Sequence, residues 1–349
     1  MAVDLSKLIV RNKISPKQLS GKIIAIDAYN VLYQFLSIIR QPDGTPLTNS
    51  EGKVTSHLSG LFYRSIDLLE NNITPIYVFD GIPSKLKMKT IEARVRRREA
   101  AYSAWQEAKQ HGEIEEARMR AQASTRVDKE IVNSAKSLLS LMGISYIMAP
   151  GEGEAQASYM CGEDLVYAAG SQDYDTLLFG SKRVVRNLTF SGRRKLPRKN
   201  VYINVDTELI SLEETLGNLG ITRHQLIWIG IMLGNDFNEG IKGIGPKTAL
   251  KIAKESASLK DVEARIKEKF GSGFDTDVSE VEALFLKPEV KELSRSELLT
   301  MMPKRPDISG IVSFMCDEYG FSKERISKYA ERLAELSNVS SQSSISKWL

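Results

Sequence analysis

Two apolar runs, Ile144–Met148 and Leu165–Ala169, are each followed by a pair of acids, Glu152 with Glu154 and Asp173 with Asp175. In an open α/β sheet the carboxyl ends of the strands form the ligand crevice, so both pairs are expected to face one shared site. Within each pair the spacing of two puts both side chains on the same side of an extended backbone. Four clustered carboxylates repel one another at neutral pH, and a hard divalent cation that prefers oxygen, such as Mg²⁺, relieves that repulsion. Singly, each pair has a plainer explanation. Glu152 and Glu154 suit a helix N-terminus, and Asp173 and Asp175 suit an ordinary turn.

The elements that would position these acids repeat one design. Lys22–Ile26 is a short β-branched run ending at Asp27, and Ile73–Phe79 is another ending at Asp80, so both read as buried parallel strands tipped by a carboxylate. A helical apolar segment, Ile221–Leu233, precedes Asp236, the seventh candidate. Helices are expected over 28–39 and 58–69, with a turn-rich loop, 41–50, between them. Tyr33 falls about two turns beyond the first strand tip, close enough to line a cleft, although a tyrosine there is more often core. The fold class expected is α/β, a mostly parallel central sheet flanked by helices.

Basic residues are concentrated rather than abundant. Lys85 to Arg98 holds seven of them against one acid, Glu92, and the basic, helix-favouring composition continues to about Lys129, as in a basic helical arch. Lys87 and Arg94, seven apart, share a helix face and could together neutralise a phosphate; a solvated surface helix is the plainer reading. Arg183–Leu188 reads as a strand and Ser191–Lys199 as a basic hairpin. In Gly240–Leu250 the glycines allow a tight turn, Pro246 suits the first helical turn, and N–H groups near Gly243, Gly245, Lys247 and Thr248 would cradle an anion. This stretch resembles the helix-hairpin-helix element that grips a DNA backbone; the spacing of a nucleotide-binding P-loop is absent.

With 349 residues, 42% hydrophobic and 26% charged, the chain has the composition of a soluble globular protein with room for a substantial core. A formal charge of +4 says little about partners by itself. Cys161 and Cys316 lie far apart without metal-ligand spacing, which points to a reducing compartment. The N-terminus lacks the layout of a signal peptide and no apolar run is long enough to span a bilayer, so an intracellular protein with no membrane partner is expected. The charged segment 255–335 reads as mostly helical, and Ser337–Ser344 as a polar linker before Ile345, Trp348 and Leu349.

Val78-Phe-Asp80-Gly-Ile-Pro, Ala149-Pro-Gly-Glu152-Gly-Glu154-Ala-Gln-Ala, Ser171-Gln-Asp173-Tyr-Asp175-Thr-Leu-Leu-Phe-Gly180 and Gly243-Ile-Gly-Pro-Lys-Thr-Ala249 resemble the flap endonuclease family of structure-specific 5′ nucleases, in order and from Asp27 to about residue 255. The resemblance implies cleavage of 5′ flaps in DNA replication and base-excision repair, with 5′-3′ exonuclease activity beside it. Asp27, Asp80, Glu152, Glu154, Asp173, Asp175 and Asp236 would be the carboxylates of a two-ion Mg²⁺ site, with Mn²⁺ as substitute. Two ions ~3.5–4 Å apart stabilise both the attacking and the leaving oxygen of a phosphodiester. Lys87 and Arg94 would contact the scissile phosphate, and Tyr33 would stack near the cleaved nucleotide.

The resemblance also suggests a layout: 1–98 and 116–258 form the nuclease core, 84–129 the arch and 240–250 the hairpin element. A C-terminal helical region, 259–336, and a flexible tail, 337–349, follow. In the tail, Gln342, Ile345, Trp348 and Leu349 resemble the peptide that docks replication proteins on a sliding clamp of the proliferating-cell-nuclear-antigen type. Besides the clamp, flap or nicked duplex DNA is the implied partner. Because the chain stops at Leu349, without the basic tail usual in nucleated cells, the cytoplasm or nucleoid of an archaeal-type cell is the implied location. Two departures stand out, Ala2 where family members have glycine, and Gly-Asn-Asp236-Phe where Gly-Thr/Ser-Asp-Tyr is commoner.

A haloacid-dehalogenase-like phosphatase is a rival, since Asp173-Tyr-Asp175 could be nucleophile and acid. That motif needs Thr or Val four residues after the first Asp, where this chain has Leu177. A non-catalytic DNA-binding scaffold is the third reading and would make the acids structural.

Overall fold

The computed structural model describes residues 3–189, 192–195, 202–271 and 273–345, with side chains described outside 192–204 and 338–345. Nine strands are present among them: β1 (Asn12–Ile14), β2 (Ile23–Asp27), β3 (Thr74–Phe79), β4 (Tyr146–Met148), β5 (Ala168–Gly170), β6 (Arg183–Arg186), β7 (Gly192–Lys195), β8 (Tyr202–Val205) and β9 (Thr207–Ser211). Seven form one sheet in the order β1-β9-β6-β5-β2-β3-β4. Its β6-β5-β2-β3-β4 part is parallel, whereas β9 and β1 add antiparallel strands at one edge. That edge was not foreseen: neither short strand has the continuous apolar run of a buried one. β7 and β8 pair as a hairpin, but only β7 falls in the expected Ser191–Lys199 stretch, the second strand coming later; the connection lies outside the described residues.

Alternation along the central strands sorts side chains between two layers. Ile24, Ile26, Tyr77 and Phe79 enter one core with helices α1 (Ala28–Ile38), α2 (Ser56–Glu70) and α5 (Lys129–Leu141). Ala25, Ile76, Val78 and Ala169 face the opposite core, beneath α6 (Gly153–Gly162). Between α2 and α5, α3 (Met88–Gln110) and α4 (Ile114–Ala123) form a helical hairpin closed by its own small cluster of Trp105, Ala108, Ala117 and Ala121. A third core gathers α7 (Asp175–Leu178), α8 (Leu212–Leu219), α9 (Arg223–Leu233), α10 (Pro246–Glu255), α11 (Leu259–Phe270) and α12 (Val278–Leu286) with Val3, Leu5 and Ile9. α13 (Arg295–Thr300), α14 (Ile308–Val312) and α15 (Lys323–Ile345) complete the described chain.

The two runs that precede the acid pairs give shorter strands than their length suggests, because their first residues finish a helix. Gly143 (φ +68°) and Asp164 (φ +53°) turn left-handed. The next N–H groups, of Ile144 and Leu165, then return to the carbonyls of Leu139 and Met160, both at 2.9 Å. This is the Schellman arrangement, in which the apolar residue after the turn packs back on the last helical turn. At the far end, α15 runs through 337–345, where the polar composition suggested a linker. Those residues include neither Gly nor Pro, so nothing in them stops the helix.

Past the tip of β3, Gly81 N–H donates to Gly151 O at 2.7 Å and Ile82 N–H to Pro150 O at 3.0 Å, tying two of the acid-bearing loops together. A Cβ on Gly81 would lie 2.2 Å from Ala149 O and 2.3 Å from Pro150 O, both backbone atoms that cannot rotate away. Gly81→Ala is therefore expected to cost about 1–3 kcal/mol of stability, read as a lower Tm. An unchanged Tm would show that the two loops separate freely.

Candidate active site

All seven acids lie at the carboxyl end of the parallel strands or on the loop after α9, and the local structure explains each placement. Asp27 ends β2 and caps α1, accepting from Asn30 N–H at 3.0 Å. Asp80 follows β3 and accepts from Gly153 N–H at 2.7 Å, which pins the first turn of α6 to the neighbouring strand tip. Glu152 is the N-cap of α6 and Glu154 lies in its first turn; Asp173 sits in the turn before α7, and Asp175 is that helix's first residue. Helix starts, rather than the expected extended backbone, thus present both pairs. The pairs still share the site because β4 and β5 run parallel to β2 and β3 and end on the same side.

Asp236 is held by a loop that the sequence did not explain. Gly234 (φ +86°) ends α9, and a Cβ there would meet Gly240 N at 2.6 Å. Buried Asn235 donates to Asn238 Oδ1 at 2.7 Å and accepts from Phe237 N–H at 2.8 Å, while Asn238 donates to Ile231 O at 2.9 Å. The asparagine that departs from the family pattern is therefore the residue that closes this loop.

Two cations enter the cluster from the start of the helical hairpin. Lys87 Nζ bonds Glu152 Oε2 and lies 3.5 Å from Asp236 Oδ2, while Arg94 bonds Asp236 Oδ1. Other contacts fix the remaining acids: Asn30 donates to Asp173 Oδ2 at 3.1 Å, Ser171 and Thr176 hydroxyls donate to Glu154 Oε1 at 2.7 Å each, and Val3 N–H donates to Asp175 Oδ1 at 2.9 Å. Asn30, Ser171 and Thr176 were missed in the sequence. Only Asn30, one turn after Asp27, carried a usable signal, as a polar residue at the start of a helix.

Burial and mutual repulsion leave a large electrostatic cost. Burial, then the charge of Asp80, pushes Asp27 up to about 8. Asp80 rises to about 6 through burial, against the pull of Lys87, and Asp175 to about 7 through burial and Asp236. Glu154 and Asp173 move the same way, burial first and then neighbouring acids. Asp236 is held low: burial opposes its charge, but Arg94 and Lys87 outweigh burial. Lys87, despite burial, is held above the usual lysine range by Glu152 and Asp236.

Tyr33 is set back from the acids. Its hydroxyl reaches Gln122 O at 3.5 Å and Arg98 lies over its ring at 6.0 Å. Tyr29, one turn nearer, is the ring whose hydroxyl is raised by burial, then Asp80 and Asp27. The glycine-rich stretch forms the turn between α9 and α10, with Gly243 at φ +92°, Gly245 as N-cap, Pro246 in the first turn, and Lys247 and Thr248 exposed. Of the tail residues, Gln342 and Ile345 fall within α15, whereas Trp348 and Leu349 lie outside the described residues.

Likeness to known proteins runs the length of the chain. A family model described as the XPG N-terminal domain matches residues 2–101 and one described as the XPG I-region matches 143–236. Flap endonuclease 1 of Pyrococcus furiosus is 50% identical, the match covering 100% of this chain and 99% of that protein. Flap endonuclease-1 from Methanococcus jannaschii superposes with a TM-score of 0.74 at 40% identity, covering 97% of this chain and 99% of that one. The catalytic core of Rad2 in complex with DNA substrate gives 0.70 at 25% identity, covering 95% and 100%. Neither the phosphatase nor the scaffold reading is favoured by these likenesses. With both family regions present and half of all positions identical over the full length, the chain belongs to the flap endonuclease family of structure-specific 5′ nucleases.

Proposed function

We propose that this 5′ flap endonuclease works through two Mg²⁺ ions, one held by Asp27, Asp80, Glu152 and Glu154, the other by Asp173, Asp175 and Asp236. The observation that carries the reading is the convergence of seven acids, from five separate segments, on a site where Lys87 and Arg94 pair with Glu152 and Asp236. The donor set is all oxygen, as hard cations such as Mg²⁺ and Mn²⁺ require. Buried Glu152 Oε1 has no hydrogen-bond partner among the described residues. Among those residues no three His, Cys, Asp or Glu side chains are grouped as a ready-made ligand set. Their oxygens turn instead to Lys87, Arg94, Asn30 and the two hydroxyls, so ion binding requires the two cationic side chains to withdraw toward substrate.

Bound divalent ions would stabilise charge on the attacking and leaving oxygens. The chain's own residues supply the rest. Lys87 and Arg94, on one helix face, meet the phosphoryl oxygens where charge develops. The turn at Gly243 and Gly245, with Lys247 and Thr248, takes a duplex phosphate at the start of α10. Tyr33, beneath the hairpin of α3 and α4, stacks on a nucleotide beyond the scissile bond. A fluorescent 5′-flap duplex should be cut in Mg²⁺ and left intact in EDTA, with no turnover of a phosphomonoester; cutting undiminished in EDTA would overturn the metal assignment.

The C-terminal residues Gln342, Ile345, Trp348 and Leu349 supply a clamp-docking peptide by the same reading. In a single 3₁₀ turn, residues three apart eclipse, so Ile345 and Trp348 would form one apolar plug. Deleting 342–349 is expected to remove clamp binding and clamp stimulation while unstimulated flap cleavage stays unchanged. Full clamp binding by the truncated protein, measured by calorimetry, would sink the assignment.

A further inference from the structure

Between Asp173 and Asp175 stands Tyr174, a residue to which the reading above gives no task. It is the N-cap of α7 and is buried, its ring part of the core around α9. Arg186, the last residue of β6, reaches it from the sheet. Backbone register brings the two together: Val185 pairs with Gly170 at the end of β5, and Ser171 N–H donates to Val185 O at 3.2 Å, so Arg186 stands beside the turn that begins at Ser171. Its Nη1 donates to Tyr174 Oη at 2.7 Å, and the guanidinium carbon lies 4.5 Å from the centre of the same ring.

The guanidinium is anchored on its own side as well. Nη1 lies 3.3 Å from Glu208 Oε2, on the residue directly across the ladder in β9. Its buried Nε has no hydrogen-bond partner among the described residues, so the ring and hydroxyl of Tyr174, with Glu208, account for its placement. A planar cation against an aromatic face is a rigid pairing. Its charge also reaches the acids: burial and then Asp236 raise Asp173, while Arg94, Asn30 and Arg186 oppose that rise. Lys87 and Arg94 can withdraw toward substrate, whereas Arg186 is tied to the sheet. A fixed positive charge by itself would weaken the binding of a divalent cation, but a clasp that holds two carboxylates in register would strengthen it.

We propose that Arg186 is a positioning residue for the ion held by Asp173, Asp175 and Asp236, acting through Tyr174 to fix the turn that bears the first two. The proposal rests on the two-ion reading. Groups that orient metal ligands contribute about 10–100-fold in affinity. The low end applies here, because Asn30 also holds Asp173 and Val3 N–H also holds Asp175.

The test titrates Mn²⁺ into DNA-free wild type, Arg186→Ala, Tyr174→Phe and the double variant, reading free Mn²⁺ by electron paramagnetic resonance. Arg186→Ala should bind Mn²⁺ about tenfold more weakly. Tyr174→Phe keeps the ring and loses only the hydroxyl, so it should bind about fivefold more weakly, as for one lost hydrogen bond. The double variant should stay within about twofold of Arg186→Ala, since the two residues act as one unit. Half-maximal cleavage should need proportionately more Mg²⁺ in each variant, with flap-DNA affinity in EDTA as in wild type. Glu208 keeps Arg11 at 3.7 Å when Arg186 is removed; should Arg186→Ala still fail to fold, Tyr174→Phe decides alone. Unchanged or tighter Mn²⁺ binding in either folded variant, even with a lowered Tm, would overturn the proposal, as would losses that simply add in the double variant. Wild-type protein that binds no Mn²⁺ and cuts flaps in EDTA would instead remove the two-ion reading beneath it.

Discussion

Asp80→Ala and Asp173→Ala are each expected to abolish flap cleavage while leaving flap-DNA binding largely intact. Loss of one hydrogen-bond donor to a developing charge costs ~10²–10³ in rate, and a carboxylate that holds a catalytic ion should cost more. Asp80 has a second task, since its Oδ1 accepts the Gly153 N–H at 2.7 Å and so seats the turn that bears Glu152 and Glu154. Asp80→Asn separates the two, because it keeps an acceptor for Gly153 and loses only the charge. If the charge matters, Asp80→Asn will be as inactive as Asp80→Ala, with a Tm closer to wild type. Binding should survive because the phosphate contacts are proposed to come from the start of α10 and the basic hairpin helices. Mg²⁺-dependent cleavage within tenfold of wild type in either alanine variant would remove these residues from the ion site.

The second large effect concerns Lys87 and Arg94. Each replaced by Ala should lower single-turnover cleavage by ~10²–10³ with little change in duplex affinity, as expected of charges needed mainly in the transition state. Their present partners sharpen the expectation. Removing Lys87 takes the cation from partly buried Glu152, and removing Arg94 takes a cation from Asp236, which keeps Lys87 at 3.5 Å. Both variants should therefore also melt at lower temperature in EDTA and recover part of that loss when Mg²⁺ is added. A change confined to affinity and its salt slope would make them ordinary phosphate contacts.

Much of the fold could be read locally because burial on both faces leaves a local trace. The β-branched runs before Asp27 and Asp80 are strands of the predicted kind, tipped by acids as expected. Pro246 does open a helix after the glycine-rich turn, and Ser191–Lys199 does contribute a basic strand to a hairpin. Fold class followed from the same pattern, since continuous apolar strands separated by helical segments can only be interior and parallel. The acid pairs were found for a partly mistaken reason. Their spacing of two suggested extended chain, while helix N-termini present them in fact.

Composition and strand pattern by themselves determined an α/β sheet with carboxylates at its strand tips and a cluster of basic residues on one helix. Tertiary structure alone decided which groups meet. Lys87 and Glu152 are 65 positions apart, Asn30 and Asp173 143, and Arg94 and Asp236 142. No local periodicity encodes such pairs, because they depend on where whole elements cross. The antiparallel edge of β1 and β9 was hidden likewise, since short strands half-covered by neighbours carry no continuous apolar run. Sequence marks which residues must be buried or charged; only the packed chain settles whose charge lies beside whose, because side-chain pairing over a few ångströms is fixed by the crossing of elements distant along the chain.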